Sequence, residues 1–157
     1  MNNLEIHICF KTEKNMNETE QIKQQFITFM QKMNAWEVVA NNETEQDDEI
    51  FSNPDWQEKQ IQIVREIYET HLTQKERKYG MLNAGISVRF PPEYDSDKET
   101  IISVEIKGKS AVMITERIYA GLKGERIYKL KKVDDVWKID TAKEKSKSED
   151  KWHSVIF

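Results

Sequence analysis

The sequence is poor in cysteine, proline and glycine. Of 157 residues, one is cysteine, three are proline and five are glycine. A lone thiol, Cys9, excludes an internal disulfide and suits a reducing compartment. Five scattered glycines leave no glycine-rich loop to cradle a phosphate. The three histidines, His7, His71 and His153, lie far apart, and none has a neighbour at metal-ligand spacing. No apolar run approaches the roughly 18 residues that a membrane-spanning helix needs. The opening MNNLEIHICFKTEKN lacks both the basic start and the unbroken apolar stretch of a signal peptide. Positive charge is also short, with a formal net charge of −4, which argues against nucleic acid or an anionic membrane as a partner. These absences lead to the expectation of a soluble, cytoplasmic protein with no cofactor and no metal.

What is present is a strongly patterned chain, 38% hydrophobic and 33% charged. Its length suits one domain over residues 1–157, able to bury roughly 68–70% of its unfolded surface. Leu4, Ile6, Ile8 and Phe10 alternate with Glu5, His7 and Cys9, so residues 1–16 form an extra strand or a loose lead-in. The period then changes. Ile22, Phe26, Phe29, Met30, Met33 and Trp36 recur at helical spacing from about Asn17 to Ala40. Asn53, Pro54 and Asp55 form a helix start, followed by a stripe of Trp56, Gln60, Ile63, Val64, Ile67, Tyr68 and Leu72. Thr73 and Glu76 have capping-box spacing, which predicts a short third helix over residues 75–79 ending at Gly80. His71, near a helix end, reads as a capping or surface residue.

From residue 86 the period is two. A short strand over residues 86–90 stops at Pro91 and Pro92. Four strands follow over residues 100–141, with turns at Gly108, at residues 121–124 and at Asp134–Asp135. Ile102, Val104 and Ile106 read as one face of the first. Residues 142–157 form a charged stretch with an apolar end that folds back. Helices over residues 17–80 followed by a sheet over residues 86–141 give an α+β domain, three helices packed on a curved antiparallel sheet as a cone.

Two groups of residues are candidate sites. Glu43, Glu45, Asp47, Asp48 and Glu49 fall within seven residues, reading as a solvated loop or an electrostatic contact for a basic partner. Glu116 shares the parity of Val112, Ile114 and Ile118. If that face is buried, its carboxyl sits inside the cone near Tyr128 and Trp137, raised by desolvation and placed to act as a general base unless a neighbour such as Arg126 pairs with it. Asp140, facing away from Trp137, is a weaker candidate. Lys129, Lys131 and Lys138 lie opposite the aromatics of their strands, so they form a wet sheet face and no nucleic-acid patch.

Three stretches carry a resemblance: FMQKMNAWE (29–37), KYGMLNAGISVRFPPEYD (78–95), and YKLKKVDDVWKID (128–140) with DKWHSVIF (150–157). Together they resemble bacterial immunity proteins with a nuclear transport factor 2-like fold, the antidotes encoded beside polymorphic or contact-dependent toxins. The resemblance implies a cone-shaped domain that binds and neutralises a cognate toxin, often a nuclease with a basic cleft, without catalysis. The segment at residues 4–10 and the length of the acidic stretch depart from that pattern. The competing expectation is a small isomerase- or dehydratase-like enzyme, or a ligand-binding accessory domain, using the interior around Glu116. Filling of that interior by Trp36, Trp56, Trp137 and Trp152 would exclude it. Sheet-face pairing is common for this fold and would make a homodimer, although the lysines on that face oppose a tight apolar one.

Overall fold

The computed structural model describes residues 17–157. The strand expected at residues 4–10 lies outside the described residues. Helix α1, Glu18–Gln46, starts where Asn17 Oδ1 accepts the Glu20 amide at 2.8 Å. It runs six residues past the expected end at Ala40. There Glu43 accepts a 2.7 Å hydrogen bond from Trp56 Nε1, and Asn41 donates to Glu45, so the acidic stretch begins as helix and only continues as loop. A 3-10 turn, Ile50–Ser52, leads to α2, Pro54–His71. Asn53 Oδ1 caps α2 by accepting from Asp55 and Trp56 amides. Its buried face is Trp56, Gln60, Val64, Ile67, Tyr68 and His71. His71 is therefore a core residue and not a surface cap, packed against Phe29 with ring centroids 5.9 Å apart.

The third helix is not at residues 75–79. The Thr73 hydroxyl, which would have capped it, donates instead to Asp140 at 2.7 Å, and the Thr73 amide donates to Ile139 O. Lys75 and Arg77 also reach Asp140. These contacts hold the stretch as a loop against the sheet, and the short helix α3 follows it as Met81–Ala84. Residues 86–90 form no strand; they belong to an irregular strap described below.

The sheet has strands β1 (Glu99–Lys107), β2 (Ser110–Tyr119), β3 (Leu122–Val133), β4 (Val136–Ser146) and β5 (His153–Ser154), antiparallel in sequence order. It is curved and unclosed, so the α+β expectation holds. Ala120, Gly121, Asp134 and Asp135 all have positive φ, as tight two-residue hairpin turns require.

Parity on β2 is the reverse of the sequence expectation. Ala111, Met113 and Thr115 face the helices, while Val112, Ile114 and Ile118 are exposed. The neighbouring strand decides this: Ala111, Met113 and Thr115 sit opposite Leu130, Tyr128 and Arg126, and a strand's inward set must match its neighbour's. On β1 a bulge between Ile101 and Ser103 switches parity, so Val104 and Ile106 stay half-buried while Ile102 turns outward at 54% exposure. The outer face is thus more apolar than the lysine pattern implied. A second irregularity, where β4 residues Ile139 and Thr141 oppose Leu130 and Lys129, leaves Asp140 without a cross-strand partner and free to meet Thr73 and Lys75.

The interior is filled around Phe29, whose ring meets Tyr68, Tyr94 and Phe157 at centroid distances of 6.5, 5.6 and 6.0 Å. Phe26 packs edge-on against Tyr128 at 5.1 Å. The tryptophans do less of this than expected. Trp36 and Trp56 bridge α1 and α2 through Gln60 and Glu43, Trp137 is buried, and Trp152 lies half-buried beneath Lys145.

Beyond β4 the C-terminal segment folds back. Val155 donates to Ala142 O, and Phe157 enters the core. A Cβ added at Gly80 would stand 1.8 Å from Phe157 O. Gly80→Ala should therefore expel Phe157 and lose roughly 1.5–3 kcal/mol of its burial in urea unfolding. In a chain lacking Phe157 the same substitution should cost far less. An equal loss in both backgrounds would show that the contact is not the cause.

Candidate functional site

At the sheet end where β1 begins and β2 finishes, residues 85–98 cross the structure as a strap without regular secondary structure. Side chains from three elements hold it, two of them by its backbone. From α1, Asn34 Nδ2 donates to Tyr94 O at 2.6 Å, and the Glu37 carboxyl accepts the Glu93 and Tyr94 amides at 3.2 and 2.9 Å. From β2, Arg117 Nη2 donates to Glu93 O at 2.9 Å and the Tyr119 hydroxyl to Pro91 O at 3.3 Å. From β3, Arg126 Nη2 reaches Glu93 Oε1 at 3.3 Å.

Arg126 also organises the interior. Only 1% exposed, it donates from Nε and Nη2 to Glu144 Oε2 at 3.0 and 2.9 Å and from Nη1 to the Tyr128 oxygen at 3.3 Å. Tyr128 donates to Glu99 Oε1 at 2.7 Å, as does Thr115 Oγ1. Burial works against the guanidinium charge, but Tyr128, Glu99 and Glu144 more than offset it and the pKa is raised. Burial pushes the Tyr128 phenol up, so Arg126 and Tyr128 both retain their protons at neutral pH. Glu37, 2% exposed, is pushed up to about 7 by burial, against the two amides that favour its charged form.

Neither Arg126 nor Glu37 was a sequence candidate, though both carried a signal. Arg126 shares the inward parity of Tyr128 and Leu130, and Glu37 lies four residues past Met33 on the apolar stripe of α1. Tyr128 and Trp137 are buried, but Glu116 does not join them. It points outward, 48% exposed, opposite Glu125 and 3.6 Å from Lys147. Its placement inside the cone was wrong because the β2 parity was, and Arg126 pairs elsewhere.

The acidic candidates are divided. Glu43 is half-buried and committed to Trp56, and the Asp47 carboxylate accepts the Glu49 amide within its own turn. Glu45, Asp47, Asp48 and Glu49 are exposed at the end of α1, and among the described residues none forms an ion pair. Between Lys32 and Lys59 the chain has no basic residue. Residues 17–71, the helical layer, hold twelve acidic and four basic side chains, whereas residues 99–146 hold eight and eleven. The negative charge of the molecule is therefore concentrated on the helices. Among the described residues, no group of three or more His, Cys, Asp or Glu side chains is placed to hold a metal ion, and no helix is long and apolar enough to cross a membrane.

Comparison with known proteins agrees with this architecture. Residues 18–155 match the family model described as NTF2 fold immunity protein. The chain is 30% identical over 141 residues to immunity protein RhsIA of Dickeya dadantii (strain 3937), a match covering 87% of this chain and 94% of that protein. No solved structure matches it. With the family pattern running from the start of α1 to the C-terminal fold-back, the chain belongs to the NTF2-fold immunity proteins.

Proposed function

We propose that this protein acts in the cytoplasm as a non-catalytic antidote, binding a cognate toxin domain and holding it inactive. The observation that carries this is the family match across residues 18–155. The packing supports it: aromatic rings fill the interior, and its charged groups face one another. The acidic tip of α1, Glu45 and Asp47 to Glu49, suits a toxin with a basic surface such as the substrate cleft of a nuclease, because exposed like charge steers an opposite partner into encounter. Glu43 drops out of this surface, since its carboxyl is occupied by Trp56.

The test is co-expression with a toxin domain, sought first in the gene immediately upstream. Rescue of growth and copurification of the two chains are expected, and failure of well-folded protein to rescue would overturn the proposal. Within the complex, joint replacement Glu45→Gln, Asp47→Asn, Asp48→Asn and Glu49→Gln keeps the local hydrogen bonds. It should slow association about tenfold at low salt and flatten its salt dependence, with little change in dissociation. An unchanged association rate would remove the tip from the interface.

A further inference from the structure

The strap singles out one side chain. Phe90 is 76% exposed, yet it stands in a segment whose backbone is gripped on its C-terminal side at Pro91, Glu93 and Tyr94. Apolar anchors add to the grip, since Ile86 and Tyr94 are both 4% exposed. A surface loop that merely joined α3 to β1 could leave its peptide groups to water. Here the molecule instead buries two ionisable side chains, Glu37 and Arg126, against that strap. Burying such groups is unfavourable unless they are well paired. The structural return is a fixed backbone beside a solvated aromatic ring. A large ring with few rotatable bonds on a rigid support loses little entropy on docking, which describes a binding hot spot before its partner arrives.

The position fits one continuous surface. Glu37 ties the strap to α1, and the acidic tip begins at Glu45, eight residues further along that helix, about 12 Å at helical rise. The Tyr119 hydroxyl ties the strap to the β2–β3 hairpin, whose Leu122 is also exposed. A single partner can therefore span the tip, the strap and the hairpin.

We propose that Phe90 is the aromatic anchor of the toxin-binding surface and inserts into an apolar socket on the toxin domain, while the acidic tip of α1 governs encounter. This rests on the toxin-binding function proposed above. The two elements then have separable kinetic roles, the tip in association and Phe90 in residence.

The experiment measures association and dissociation of the full chain with a catalytically inactive form of the same toxin domain. Phe90→Ala should speed dissociation by roughly ten- to thirtyfold, leave association and its salt dependence within about twofold, and leave the melting temperature of the free chain unchanged. Phe90→Tyr should restore most of the residence time, because the ring is what docks. A complex whose dissociation is unmoved by Phe90→Ala overturns this inference and leaves the proposed function standing. Absence of any complex with the unmodified chain overturns both. A Phe90-dependent dimer of the chain alone, seen by light scattering, would assign the ring to self-association and also overturn it.

Discussion

Replacing Arg126 with Met should lower the unfolding free energy by about 3 kcal/mol, near the lower end of the range for breaking a buried charge pair. The side chain is almost fully enclosed, and its nitrogens engage Glu144, Glu93 and Tyr128 together. Methionine fills much of the volume but removes the cation that Glu93 and Glu144 share, leaving them only Arg89 at 3.8 Å and Arg117 at 3.6 Å respectively. The loss stays at the lower end because Glu144 is 41% exposed and water can solvate it. For the same reason Glu144→Gln should cost under about 1 kcal/mol, since it trims an exposed partner and leaves Arg126 its contacts with Glu93 and Tyr128. Equilibrium urea unfolding of the two variants checks the asymmetry. Equal losses would mean that the exposed arm, not the buried one, dominates. Arg126→Met should also loosen the strap and so reduce toxin residence time, which ties core and surface together.

The second large effect is on pH dependence, where two buried groups act in opposite directions. His71 is lowered from 6.5 to about 4 by burial and by the charges of Lys32 and Lys138. Between those values the unfolded chain binds the proton more readily, so stability is lost as pH falls from 6.5 toward 4. Glu37 is raised from 4.5 to about 7, chiefly by burial. Between those values the folded chain holds the proton, so its contribution is present below 4.5 and lost as pH rises to 7. Each swing amounts to roughly 3 kcal/mol. Because the windows nearly coincide, they largely cancel in the unmodified protein. Single variants expose them: Glu37→Gln should leave a protein whose stability rises by roughly 3 kcal/mol from pH 4 to 6.5, and His71→Phe one whose stability falls by a similar amount from pH 4.5 to 7. Unfolding free energies at intervals of half a pH unit decide it, and profiles parallel to the unmodified chain would refute the pairing.

The candidate site shows how far a one-dimensional pattern reaches. The acidic tip was visible because charge density is a local property. The division of labour within it was not, because the Glu43 carboxyl is engaged by Trp56, thirteen residues away on another helix. Glu116 was misplaced for a similar reason. Both faces of β2 carry apolar residues, so alternation could not say which face is inward. Phe90 lay in a quoted motif, but exposure is a property of the packed chain and nothing local marks it. Arg126 and Glu37 broke an apolar pattern, and such breaks are the signal that identifies buried charged groups.

From sequence alone came the helix starts at Asn17 and Asn53, the turns at Gly108 and Asp134–Asp135 and the order of helices before sheet, whereas the turn expected at residues 121–124 lies at Ala120–Gly121, with Leu122 already in β3. Those local features follow from capping, turn chemistry and periodicity, which act over a few residues; the family was reached through the resemblance of three stretches of sequence, not through these patterns. Only the tertiary structure decided the rest. Pairing with β3 chose the inward face of β2, and a bulge reversed β1. Asp140 took the Thr73 hydroxyl that would have started a helix. Anchors from α1, β2 and β3 turned an expected strand into a strap that holds Phe90 in solvent. In each case tertiary contacts outcompeted the local preference: strand register set the faces of β1 and β2, and at Thr73 and the strap buried polar groups took the hydrogen bonds that the fold supplied.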